Sequence, residues 1–227
     1  MPNPVETALE AVITENAMAV EAYEALNTLQ LISEQDEFTG DRYRQFYKFF
    51  PRNRQRILDL GCNIGRGGWV LKHIDPSLRI SGLDCVKDRL TRIPEELYEE
   101  KIYGLSTEIP VANDTFDVVV AGEVLEHLYP EDIDKTLGEI FRILKVGGRL
   151  LLTTPNPKDI KRKIKKQSVL GGCHVSQHFD DVLKWRMKLI GYSKVRIIGT
   201  GKVSRYLGYR FPWLSIYGSY MAMGDKY

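Results

Sequence analysis

The chain has 227 residues, of which 43% are hydrophobic, 27% charged and 10% aromatic, an ordinary globular composition with room for one full core. A formal net charge of +2 gives no overall demand for a polyanionic partner. Cys62, Cys85 and Cys173 are too few and scattered for a disulfide framework or a structural zinc site. No apolar run reaches membrane-span length, and the start "MPNPVETALEAVITENAMAVEA" lacks a basic leader, so the sequence predicts a cytoplasmic enzyme or binding protein.

Residues 4–32, rich in Ala, Glu, Leu and Val at helical spacing, predict a helix, and "GDRYRQFYKFF" predicts a second one ending at Pro51. Short apolar runs then alternate with amphipathic stretches. The predicted strands are 56–61, 79–84, 101–105, 117–122 and 149–155, with helical segments around 66–74, 86–98, 124–129 and 131–145. A basic, irregular stretch follows Pro155, then a helix at about 180–190 and two late strands, "KVRIIGTG" and "IYGSYMAMG". This alternation predicts an α/β, Rossmann-like doubly wound domain over 51–227, a helical cap over 1–50 and an inserted lid or acceptor loop at about 156–178.

The first strand runs into Gly61, Gly65, Gly67 and Gly68. Glycine loses the most backbone freedom on ordering, so its density marks a turn that a ligand approaches closely, at the carboxyl end of a parallel strand. The G-x-G-x-x-G spacing of a dinucleotide site is absent.

What stands instead is D-x-G-x-N-x-G, from Asp59 to Gly65, which resembles the first motif of class I S-adenosylmethionine-dependent methyltransferases of the small-molecule, type 11 kind. The likeness continues in order through Asp84, "EIPVANDTFDVVVAGEVLEHL", "IFRILKVGGRLLLTTPNP" and "HVSQHF". It implies a seven-stranded mixed sheet whose last strand is antiparallel, with S-adenosylmethionine as cofactor and S-adenosylhomocysteine as product. The resemblance implies that Gly61, Cys62, Asn63 and Gly65 wrap the methionine part, with Asp59 helping to position its ammonium group. Asp84 accepts the ribose hydroxyls, and Cys85 and Gly122 count among the cofactor contacts. Two positions depart from the pattern. Asn63 replaces a glycine, which its tolerance of left-handed angles permits, and Leu105 stands where many relatives carry an adenine-binding acid. Ser106 offers the adenine edge a backbone N–H or hydroxyl instead.

Methyl transfer to a hydroxyl needs alignment and a proton acceptor. Glu123, Glu126 and His127 follow the fourth strand, and His127 reads either as general base or as a helix-start residue bonded to the backbone. His174 and His178 flank the acceptor in one reading and pack structurally in another. Gly171 and Gly172 argue against a helical metal pair, and no metal is assigned. "KDIKRKIKKQ" reads as a solvated surface or as a lid for an anionic acceptor, and Tyr206, Tyr209, Phe211, Trp213 and Tyr217 wall the pocket or cover the sheet. The expected reaction is O-methylation of a small or glycan-linked metabolite. The rivals are a cofactor-binding regulator and an RNA or protein methyltransferase, with nucleic acid disfavoured because no RNA-binding module is evident.

Overall fold

The computed structural model describes residues 19–28, 37–52, 54–209 and 211–227. In chain order it contains α1 (19–28), α2 (Thr39–Tyr47), β1 (Arg56–Leu60), α3 (Arg66–Ile74), β2 (Arg79–Asp84), α4 (Lys87–Thr91), β3 (Glu100–Tyr103) and β4 (Phe116–Gly122). There follow α5 (Ile133–Ile143), β5 (Leu144–Pro155), α6 (Ile160–Ile164), α7 (Asp180–Ile190), β6 (Ser193–Thr200), α8 (Ser204–Leu207) and β7 (Ser219–Asp225). The seven strands lie in the order β3-β2-β1-β4-β5-β7-β6. β1 to β5 pair in parallel, and β7 runs antiparallel between β5 and β6.

The strands are apolar on both faces because helices cover both. Side chains alternate across a strand, so Leu58, Leu60, Val119, Ala121, Leu150 and Leu152 join the core under α5 and α7. Their neighbours Ile57, Ile80, Val118, Val120 and Leu151 join a second core, which includes Tyr43 and Phe46 of α2 and Val70 and Leu71 of α3. In α5, buried Ile133, Thr136, Leu137, Ile140 and Ile143 follow the helical period and face the sheet.

The seven-stranded mixed sheet with its last strand antiparallel agrees with expectation, while several bounds move. The helix expected at 86–98 stops at Thr91, because Pro94 has no N–H to continue it and restricts Ile93 before it. The stretch 124–129 holds only a 3-10 turn, Leu125–His127. β5 starts at Leu144, already paired with Phe116, rather than at Arg149. The loop at 156–178 contains the short helix α6 and a bridge between Gly171 and His174. Tyr217 is fully buried against Gly199, whereas Tyr206 and Trp213 are exposed. Within the expected cap, residues 1–18 and 29–36 lie outside the described residues. Among the described residues no helix is long and apolar enough to cross a membrane.

Candidate active site

The turn after β1 is built from backbone. The N–H groups of Gly61 and Cys62 donate to the Leu83 carbonyl at 2.8 and 3.0 Å, and that of Asn63 donates to Asp84 Oδ2 at 2.8 Å. Gly61, Asn63 and Gly65 take φ of 68°, 52° and 84°, so Asn63 does hold the left-handed angle. A Cβ on Gly61 would lie 2.7 Å from Val124, and one on Gly65 would lie 2.8 Å from Leu97. Gly65 caps the start of α3 behind the turn and is not among the residues that line the cavity described next.

Gly67 and Gly68 serve another purpose. A Cβ there would fall 2.0 Å from the Tyr43 ring and 2.1 Å from the Tyr98 ring. Both rings pass over the start of α3 to reach Asp59, donating to its two oxygens at 2.5 and 2.6 Å. Asp59 is fully buried and is not among the residues that line the cavity; with the two phenols on its oxygens it braces the turn from beneath. Burial pushes its carboxyl up to about 6 despite the two phenols, which pull it down.

Above the turn lies a cavity of about 210 Å³. Its walls include Gly61, Cys62, Asn63, Asp84, Cys85, Leu105, Ser106 and Gly122, eight of the ten cofactor positions that the resemblance assigns. Asp84 Oδ1 accepts from Val86 N at 2.9 Å, and the Arg89 guanidinium lies 3.9 Å from it. Both Asp84 oxygens thus accept backbone N–H groups, and the residue also lines the cavity. Burial raises its pKa, opposed by the Val86 N–H and by Arg89. Burial also pushes both nearby thiols up, Cys85 to about 12, so neither is a thiolate near neutral pH. The Ser106 hydroxyl shares a hydrogen bond with Thr136 at 2.9 Å.

The acceptor-side candidates follow β4. Glu123 sits at φ 57°, held by its N–H donating to the Thr153 carbonyl at 3.0 Å. Its Oε1 is buried without a hydrogen-bond partner, 3.9 Å from Arg42 Nε. Glu126 is wholly buried: Oε2 accepts from Thr154 at 3.1 Å and Oε1 from nothing. Burial, then the charge of Glu123, pushes its carboxyl well above the usual range. His127 lines the cavity, its Nδ1 bonds the Cys173 carbonyl at 3.0 Å, and burial lowers it to about 4, so it is neutral. The His174 ring packs on it edge-on at 4.8 Å, with its own Nδ1 bonded to the Val169 carbonyl at 3.0 Å.

His178 is elsewhere. It pairs through Nε2 with Ser176, its carbonyl accepts from Tyr220, and it lines a separate cavity beside Val182 and Arg186. Of the two histidines expected either to flank the acceptor or to pack structurally, the bridge at Gly171 turns His174 toward His127, and Ser176 ties His178 to Leu125.

A cavity of about 420 Å³ lies on the other side of Glu123 and Arg42, which line both spaces. It is bordered by Asp41, Asp159, Lys161, Arg162, Lys202 and Ser204, so only two cations of the basic stretch at 158–167 reach it. Lys158 instead pairs with Asp180 at 2.7 Å. Tyr23, Asn27, Thr39, Arg42, Tyr43 and Arg89 also line the first cavity and were not singled out in the sequence. Arg89 is buried and donates to the Asn27 carbonyl at 2.5 Å, tying α4 to α1. The available signal was a cation in the helix after Asp84, too common a pattern to isolate.

Comparison with known proteins agrees with this geometry. Residues 58–152 match the family model described as "Methyltransferase domain". The chain is 33% identical over 101 residues to "Probable S-adenosylmethionine-dependent methyltransferase" of Mycolicibacterium smegmatis, covering 44% of this chain and 38% of that one. It is also 33% identical over 114 residues to the human mitochondrial ubiquinone biosynthesis O-methyltransferase, covering 47% of this chain and 30% of that one. The chain thus spans well under half the length of these two relatives. Among solved structures, a SAM-dependent methyltransferase from Archaeoglobus fulgidus shares the fold, with a TM-score of 0.66, 20% identity, and coverage of 84% of this chain and 94% of that one. The matched domain, the sheet order 3-2-1-4-5-7-6 and the glycine turn facing Asp84 agree: residues 58–152 carry a methyltransferase domain, and the chain is similar in sequence and fold to S-adenosylmethionine-dependent methyltransferases.

Proposed function

We propose that the chain methylates a hydroxyl oxygen of a small molecule, one that carries an anionic or sugar-linked group. One observation carries this reading: a buried carboxylate oxygen of Glu123, free of hydrogen bonds, lies at the boundary between the cofactor cavity and a second cavity bordered by charged side chains. The residues present fit S-adenosylmethionine. Asp84 closes β2 with a carboxylate suited to a diol and hostile to a phosphorylated ribose. The turn brings bare backbone to the cavity, as a ligand without phosphates needs.

When bound, the cofactor supplies a methyl carbon activated by its sulfonium. The rest falls to this chain. The turn and Asp84 hold the cofactor, α1 and α2 contribute to the cavity wall, and the loop at 156–178 supplies Asp159, Lys161 and Arg162 to the acceptor space. Enclosure excludes water from the electrophile. Glu123 Oε1 takes the acceptor proton, and Arg42 beside it stabilises the carboxylate before transfer. Lys161, Arg162 and Lys202 meet an anionic group on the acceptor.

The test has two arms. Calorimetric titration with S-adenosylmethionine should show binding that Asp84→Ala loses. Product assay over a panel of hydroxylated metabolites, with and without phosphate, should then find turnover that Glu123→Gln lowers by about 10²–10⁴-fold, with cofactor affinity kept. Full turnover in Glu123→Gln removes it as the base. Cofactor binding with no product on any acceptor favours the regulator, the reading that Leu105 in the cavity wall supports.

A further inference from the structure

We propose that Glu126, His127 and His174 form a binding site for one divalent transition-metal ion beside the cofactor cavity. One donor atom from each of the three lies within 4.8 Å of the other two. They come from two distant parts of the chain, and backbone contacts hold those parts together. The Glu126 carbonyl accepts from Val175 N at 2.9 Å and Ser176 N at 3.2 Å, and the Cys173 carbonyl accepts from His127.

The donors are also oriented. Each imidazole has Nδ1 on a backbone carbonyl, Cys173 for His127 and Val169 for His174, at 3.0 Å in both cases. A carbonyl only accepts, so Nδ1 carries the proton and the lone pair is on Nε2, the arrangement that fixes a metal-binding histidine. The carboxylate supplies an independent observation. Glu126 is 0% exposed and its Oε1 has no hydrogen-bond partner, an arrangement that is costly for a carboxylate unless a cation meets it. Glu123, three residues earlier, brings a second buried carboxylate oxygen without a hydrogen-bond partner.

Two imidazoles and one carboxylate select zinc, manganese, cobalt or iron(II) over magnesium and calcium, which prefer oxygen alone. Three protein donors leave coordination positions open, as in catalytic rather than structural sites. Ligation at about 2.1 Å requires donors within about 3.5 Å of each other, so the three side chains close by roughly an ångström on binding. His127 also lines the cofactor cavity. An ion there would lower the pKa of an acceptor oxygen and ease its deprotonation; that role, unlike the binding site itself, rests on the methyltransferase reading above.

The test uses the full chain, freed of metal with a chelator and titrated with Co2+ and Zn2+. The expected result is one equivalent bound, with a visible Co2+ absorption that reports nitrogen and oxygen ligands. His174→Ala and Glu126→Gln should each weaken binding by at least about 100-fold, since loss of a direct ligand exceeds the effect of an outer partner. Metal-free Glu126→Gln should melt near the wild-type temperature, because the amide keeps the shape of the side chain and its oxygen can still accept from Thr154, so lost binding is separated from lost fold. No saturable binding at millimolar metal, or binding that both variants retain, overturns the site. S-adenosylmethionine is titrated in parallel: Co2+ binding without cofactor binding sinks the methyltransferase reading and leaves the metal site standing, and the converse does the opposite.

Discussion

Replacing Tyr98 with Phe tests the buried brace under the glycine turn. The ring still fills its place against Gly68 and Gly82, and only the phenol that donates to Asp59 Oδ2 at 2.6 Å is lost. Asp59 has a folded pKa of about 6 against an ordinary value of 3.8. The folded state therefore holds this proton more tightly than the unfolded chain. Stability from the group is complete below about pH 4 and is lost as pH rises through about 6. At 1.36 kcal/mol per pKa unit, the swing is about 3 kcal/mol. Tyr98 itself stays protonated throughout, since burial and the Asp59 charge push it far up. At pH 8 the lost bond is one to a carboxylate, and its removal costs about 2–3 kcal/mol. At pH 5 Asp59 is mostly protonated, the lost bond is neutral, and the cost falls to about 1 kcal/mol. Urea unfolding of wild type and variant at both pH values reads the difference, in which all other titrating groups cancel. An equal loss at the two pH values, or a larger loss at pH 5, refutes the brace as drawn.

Gly67→Ala sets a Cβ 2.0 Å from the Tyr43 ring and should destabilise by about 1–3 kcal/mol or more, seen as a lower melting temperature. It should also weaken cofactor binding, because Tyr43 lines the cavity. Arg149→Met leaves Asp225 buried without the guanidinium that donates to both its oxygens, at 2.5 and 2.9 Å. The expected loss is about 3–5 kcal/mol by denaturant titration, and a loss under about 1 kcal/mol would mean that solvent reaches the pair. Lys161→Glu with Arg162→Glu should raise KM for an anionic acceptor while the cofactor dissociation constant stays unchanged, since these two line only the second cavity.

The sheet was legible because its strands are buried on both faces. Val118 to Ala121 is a continuous apolar run, and Ile57, Leu58 and Leu60 leave only Asp59 polar in theirs, a pattern that no exposed helix would carry. Element ends were less legible where the deciding contact is remote. Leu144 extends the helical pattern of α5 in sequence, yet it pairs with Phe116 and opens a strand. Periodicity reads neighbours along the chain and is blind to that partner.

The same limit separates the two halves of the site. The shape of the turn could be read because it is set by the backbone angles of its own residues, and Asn63 folds as its own conformational preference predicts. Asp59 looked like a ligand contact because it opens the motif. Which way its carboxylate points depends on Tyr43 and Tyr98, one before the turn and one after it, both arriving from the helix side of the sheet. Glycine density pointed correctly to close approach, but at Gly67 and Gly68 what approaches is the protein's own tyrosine rings. The turn thus needs glycine twice, once at Gly61 and Gly65 for its left-handed backbone and once at Gly67 and Gly68 to admit the brace. A substitution at either pair disturbs the cofactor cavity, the first by distorting its wall and the second by loosening the floor beneath it.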